Sequence, residues 1–389
     1  MSALIILTIC SLLLIAYLFD LSASKTKIPS VILLLLLGWG VKQATLLAGI
    51  SLPDLTPILP GLGTIGLVLI VLEGSLELEF RKSKIVVVRK SFIGAFLSMS
   101  AIAFAIAFIL FKFKGYPLNQ SLINAIPFSV ISSAIAIPSV RSCEKSVKES
   151  VVYESSFSDI LGVLFFNFMT INTVIDLNAF GNFGLQIVVM FAISLATTVG
   201  LSLFLSKVDH HIRFIPIILV ILLVYVVTHE LKLPSLIFIM IFGLFLGNLG
   251  KLSQYKWTRH FRPEVLDKEI NKFREFVSEI SFLVRALFFM LFGYLINSSD
   301  ILDLHSLSWA VMIVSLIFLI RAIQLKISSL PLRPLLFIAP RGLITILLVL
   351  PISGTQQIPL INYPLMIQVV VLTSLIMMAG LMFSSVKNE

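Results

Sequence analysis

Ile126-Pro127-Phe128-Ser129-Val130-Ile131-Ser132-Ser133-Ala134-Ile135-Ala136-Ile137-Pro138 reads as a membrane helix that cannot run straight through the bilayer. Each proline removes a backbone donor, and its ring clashes with the preceding turn. Polar backbone groups freed at that depth need water, a ligand or a polar side chain. A second stretch has the same character: Ala339-Pro340-Arg341-Gly342-Leu343-Ile344-Thr345, with Pro351 and Gly354 beyond it. Two interrupted spans far apart in one chain are the feature from which the rest of the reading follows.

The surrounding chain is apolar enough to make both stretches intramembrane. Of 389 residues, 58% are hydrophobic and 13% charged, against about 25% charged in a soluble protein. The apolar runs are about twenty residues long and continuous, as spanning helices require, whereas barrel strands alternate over about ten. Thirteen candidate spans emerge, at 3–20, 28–48, 60–79, 91–111, 121–140, 150–172, 184–206, 212–229, 233–250, 275–297, 305–327, 331–353 and 363–385. The fold class is therefore an all-α polytopic membrane protein, a single transporter domain over 1–389. The first run has no basic segment before it and reads as a span, not a cleaved signal. Cys10 and Cys143 indicate neither a disulfide framework nor a metal site.

The formal charge of +9 has an ordinary explanation. With the N-terminus outside, the outer loops carry only Lys42, Lys112, Lys114 and Lys232. Arg285, Arg321 and Arg341 lie inside apolar runs, and the remaining Lys and Arg fall in inner loops. This bias sets an N-out, C-in topology and points to the lipid bilayer, not nucleic acid, as the partner of the charge. The most polar segment, 251–274, interleaves Lys and Arg with Tyr255, Trp257, Phe261 and Phe273, as a helix lying on an anionic leaflet does. An odd span count suits two six-helix halves of opposite sense, about 1–175 and 212–389, joined by one extra span. Span 5 then matches span 12, and span 6 matches span 13. Inverted repeats of this kind place a binding site at the midplane, on interrupted helices.

Few ionisable groups are available to such a site. Asp159 lies eight residues into Val151–Phe166, about 12 Å into a layer about 30 Å thick. A carboxylate there costs several kcal/mol without water, a counter-charge or an ion. Ser155 is i,i+4 and Ser156 i,i+3 from it, on the same helix face. One carboxylate beside hydroxyls and freed carbonyls is an oxygen cage, which suits hard alkali cations and not zinc or copper. Glu154 points about 140° away from Asp159 and calls for a cation, with Arg341 the natural candidate. Glu73 is expected to line an inward-facing water path, and Glu77 and Glu79 to sit at the interface. Arg285 and Arg321 read as anchors or members of ion pairs. The five histidines fall at span ends or in loops, and no HExxH, GxSxG or P-loop is present, so an enzyme is not expected.

Glu-Ser-Ser-Phe-Ser-Asp at 154–159 resembles the Glu-Ser-x-x-Asn-Asp signature of monovalent cation:proton antiporters of the NhaP/NHE-like branch. Pro-Arg-Gly-Leu-Ile-Thr at 340–345 resembles the segment of that family's second unwound helix. Leu72–Leu78 and Leu287–Gly293 resemble two further family stretches. The resemblance implies that Asp159 binds cation and proton in turn, and that Ser155 is a side-chain ligand of Na⁺. It further implies that Ser132 or Ser133 lends a carbonyl, that Glu73 reaches the ion directly or through water, and that Glu154 pairs with Arg341. It implies core helices at about 91–172 and 305–385, interface helices at about 1–80 and 184–297, and a homodimer in the cell membrane. Ser158 stands where the family usually has Asn, and a hydroxyl replaces only part of an amide's hydrogen bonding. The fifth span lacks the family's Thr-Asp-Pro and looks closer to the potassium-efflux and NapA-like branch.

The expected activity is electroneutral exchange of Na⁺, or Li⁺ or K⁺, for H⁺ by alternating access, with no cofactor beyond the transported ions. A sodium-coupled symporter of a small organic anion would need more polar residues around the breaks. A channel would need a continuous hydrophilic path.

Overall fold

The computed structural model describes residues 2–26, 28–49, 54–78, 85–140, 143–172, 176–207, 214–231, 233–248, 263–352 and 354–384. Most of the stretch expected on the membrane surface, 251–262, lies outside the described residues. So do Glu79 and several inner-loop cations (Lys27, Arg81, Lys82, Lys84, Arg141, Arg213 and Lys387). Among the described residues all regular structure is helical. The chain divides into two compact units: Met1–Gly66, Val87–Gly162 and Leu283–Glu389 form the first; Leu67–Val86 and Val163–Phe282 form the second.

The first unit holds α1 (Ser2–Thr26), α2 (Ser30–Leu47), the start of α3 (Ile58–Glu77) and nearly all of α4 (Ile85–Lys114). It continues with α5 (Leu118–Ser129), α6 (Ser133–Ser139) and most of α7 (Lys145–Ile171). The end of α11 (Pro263–Leu295), the short α12 (Ser298–Ile301), α13 (Leu304–Ile327), α14 (Leu343–Val349), a 3-10 turn at Gly354–Gln356 and α15 (Tyr363–Ser384) complete it. Here α13 and α15 pack along each other, α14 lies against α5 and α15, and α1 touches α2 and α6. Two glycines set the meeting of α2 with α11. A Cβ on Gly38 would overlap the carbonyl oxygen of Met290, and one on Gly293 that of Leu35. The backbones therefore touch directly, as small residues allow in membrane interfaces.

The second unit is built on α8 (Leu177–Lys207), α9 (Phe214–Glu230) and α10 (Ser235–Asn248), with α10 packed along both of the others. Gly243 and Gly247 of α10 meet the backbone of α3 at Leu72 and Leu76. Asn248 Nδ2 donates to Leu78 O at 2.8 Å, so the end of α10 satisfies the carbonyl left free where α3 stops.

The sequence predicts two interrupted spans, and both occur. The fifth span is α5 and α6 with Val130–Ser132 extended between them. The twelfth contains only the seven-residue α14, preceded by irregular chain through Gly342. Among the described residues eight helical segments are long and apolar enough to cross a membrane, and Leu7–Ala23, Phe214–Glu230 and Ser235–Asn248 are shorter apolar helices. α7 is outside that set because charge interrupts it, with Lys145, Lys148, Glu149, Glu154 and Asp159 in one helix.

Candidate functional site

One face of α7 explains how a carboxylate reaches the first break. Ser155, Ser158, Asp159 and Gly162 recur at i, i+3, i+4 and i+7, a stripe of small and polar side chains on one side of the helix. Gly162 is required: a Cβ there would overlap the side chain of Val130, the first residue of the break. The stripe thus lets extended backbone lie directly on the helix.

The break then takes its hydrogen bonds from that stripe. The amide of Ile131 donates to Ser158 Oγ at 2.9 Å, and the amide of Ser133 to Asp159 Oδ2 at 3.3 Å. Asp159 therefore caps the first turn of α6, a favourable place for a carboxylate. It is 2% exposed, and its second oxygen, Oδ1, has no hydrogen-bond partner among the described residues. The hydroxyls of Ser132 and Ser156 are likewise buried and without partner. Ser155 Oγ makes only a long bond to Val152 O, 3.5 Å.

The second break lies on the first. The amide of Ser132 donates to Pro340 O at 2.9 Å, and Arg341 Nε donates to Phe128 O at 2.6 Å. A guanidinium thus sits at the carboxyl end of α5, where free carbonyls favour a cation. The Arg341 amide, freed by the irregular backbone, donates to Thr373 Oγ1 of α15 at 3.0 Å. A Cβ on Gly342 would come 2.9 Å from Ser132 Oγ, so this position also needs the absence of a side chain.

The expected Glu154–Arg341 pair does not form. Glu154 is held by Arg321 of α13 in a fork: Nη1 donates to Oε1, and Nη2 to Oε2 at 2.9 Å. Arg321 Nε also donates to Leu335 O at 3.3 Å, and Gln324 Oε1 lies 3.4 Å from Nη1. The physical reason is the local supply of acceptors. Arg341 stands in a break whose own and neighbouring carbonyls are free. Arg321 stands in an unbroken helix, where Leu335 O serves only its Nε, and its two Nη groups turn to the carboxylate of Glu154. Arg321 was among the candidates for an ion pair on sequence, but nothing local names its partner.

The structure therefore brings together Asp159, Ser133, Ser158 and Ser132, with Ser155 one turn back on the same helix. Glu73 belongs to the second unit, where its carboxylate accepts from Ser278 Oγ at 2.6 Å. Thr373 was not foreseen; a threonine in an apolar helix gives no signal of the amide it will accept. Among the described residues no group of three or more His, Cys, Asp or Glu could hold a metal ion.

The profile of the transmembrane sodium/hydrogen exchanger family matches residues 10–386. No curated protein matches the sequence. The chain is similar in structure to the sodium proton antiporter MjNhaP1 from Methanocaldococcus jannaschii at pH 8, with TM-score 0.68 and 18% identity, over 98% of this chain and 96% of that one. A structure of the same antiporter by electron microscopy gives TM-score 0.69 and 19% identity, over 99% and 96%. The fold is similar to that of the antiporter, and the matched profile runs nearly end to end: the chain is a multi-pass membrane transporter, not an enzyme, and belongs to the sodium/hydrogen exchanger family.

Proposed function

We propose that this protein exchanges Na⁺ for H⁺ across the cell membrane by competition for the carboxylate of Asp159. The observation that carries this reading is a buried carboxylate with one oxygen on the Ser133 amide and the other without a partner, at the crossing of two broken helices. An isolated carboxylate in hydrocarbon is strongly disfavoured unless neutralised. A proton neutralises it, and so does an alkali cation, which takes oxygen ligands. The ligands available to a cation are Asp159, the hydroxyls of Ser155 and Ser132, and break carbonyls. Ser158 and Ser133 hold the break against α7.

Among the described residues of the first unit the buried acids are Asp159 and Glu154, and Glu154 is already held by Arg321. One carboxylate is left to carry one charge either way, so exchange is one-to-one and electroneutral. Occupied by either ion, the site is neutral and can be presented to the other side, as alternating access requires. The inverted repeats at about 1–175 and 212–389 supply the two states, and two copies associate in the membrane with the N-terminus outside.

The test is purified protein in liposomes loaded with a pH-sensitive dye and challenged separately with Na⁺, Li⁺ and K⁺. A sodium-dependent proton flux without net current under voltage clamp is expected. A current accompanying the flux contradicts the one-to-one cycle, and flux with K⁺ alone contradicts the choice of ion.

A further inference from the structure

Asn124 is fully buried in the apolar α5, and all of its amide is engaged. Nδ2 donates to Gln120 O at 2.9 Å and to Gln356 O at 2.7 Å, while Oδ1 accepts from the amide of Ile358 at 3.2 Å. One turn earlier, Gln120 Nε2 donates to Thr355 O at 3.0 Å and to Gln357 O at 3.3 Å. Two side chains of α5 thus serve four backbone groups in 355–358. That segment follows α14, the half-helix of the second break. Its only regular structure is the single turn Gly354–Gln356, so its backbone groups need partners from elsewhere.

The clamp is close to the site along α5. Asn124 is four residues from Phe128, whose carbonyl holds Arg341, one helical turn and about 6 Å away. Beyond Phe128 come the break, the Ser132 amide on Pro340 O and the Ser133 amide on Asp159. A sliding or turning of α5 against 355–358 would carry all three contacts with it.

We propose that Asn124 and Gln120 are positioning residues: they bolt α5 to the chain after α14 and so set the register of the two breaks at Asp159. This deepens the proposed function and rests on it. Neither side chain touches the ion. The clamp acts through α5 on the backbone groups that face the carboxylate.

The experiment uses the full chain with Cys10→Ser and Cys143→Ser as parent. Asn124→Leu keeps the volume and removes the amide, taking away the acceptor of the Ile358 amide and the donor to Gln356 O. The apparent KM for Na⁺ is expected to rise about tenfold, the effect of about 1.4 kcal/mol at the site. A clamp that serves only stability lowers the amount of folded protein and leaves the KM of the folded fraction unchanged. Gln120→Cys and Thr355→Cys are then added to Asn124→Leu and bridged by a short bis-methanethiosulfonate. Bridging is expected to return the KM towards the parent value, and reduction to raise it again. An unchanged KM in folded Asn124→Leu overturns the proposal, and so does a bridge that leaves the raised KM unmoved. A second measurement needs no transport. Hydrogen exchange at the amides of 355–358 is expected to quicken in Asn124→Leu, together with that of Ser132 and Ser133. Faster exchange confined to 355–358 means that the clamp does not set the register, and the proposal falls. Should the parent itself carry no sodium-dependent proton flux, the functional reading fails, while the exchange data still decide whether the clamp reaches the breaks.

Discussion

Glu154 and Arg321 show what a buried pair demands of its surroundings: both are almost wholly enclosed, and the guanidinium meets both carboxylate oxygens. Removing one partner leaves an uncompensated charge, so Arg321→Ala is expected to cost about 3–5 kcal/mol of stability. Arg321→Lys is expected to fall well short of rescue, because an ammonium cannot reproduce the planar fork. Thermal unfolding in detergent measures both. Ser158→Ala removes the acceptor of the Ile131 amide, a loss of about 1–3 kcal/mol for a buried donor left unserved. Ser155 and Asp159 were legible because helical periodicity is local and sets them on one face whatever packs on it; Ser158 was marked only by the resemblance. The partner of Glu154 was not legible. That choice depends on which helix covers the opposite face, and the chain places α13 there from more than 150 residues away.

Helix ends and helix crossings obey the same division. Proline and glycine announce breaks in their own neighbourhood, so the interruptions at 130–132 and before 343 could be read directly. The meeting of α2 with α11 could not, although Gly293 closes a stretch singled out for its resemblance. Its role appears only where its Cα meets the Leu35 carbonyl. Gly293→Ala is expected to push the helices apart and lower stability by about 1–3 kcal/mol, read as a fall in unfolding temperature. The start of α13 offers a pH test outside the membrane. Asp303 accepts from the amides of His305 and Ser306, and its bonds to Ser306 hold its carboxyl below the usual carboxylate range. A depressed folded-state value means that the cap contributes stability above the unfolded value of about 3.9. That contribution is lost as pH falls through the lower folded value. The gap in unfolding temperature between the parent and Asp303→Asn is therefore expected to narrow as pH is lowered from 6 towards about 3.

Across the whole molecule, the proposed cycle lets one neutralisable carboxylate fix both the coupling and its pH dependence. In that cycle protons hold Asp159 at low pH and sodium competes poorly, whereas at high pH protons are scarce for the return half. The rate of exchange is therefore expected to be bell-shaped in pH, with the apparent KM for Na⁺ rising as pH falls, measured in dye-loaded liposomes at fixed sodium gradients. The helical membrane architecture and the two broken helices were legible because they follow from composition and breakers. The clamp from Asn124 to 355–358 was not, since nothing in the sequence marks which irregular backbone a buried amide will serve. The most direct measurement of the central claim is sodium-driven proton flux in liposomes carrying Asp159→Asn beside the parent protein at equal folded amount. The permanently neutral side chain is expected to give flux no greater than protein-free liposomes. Flux at the parent rate would contradict the account.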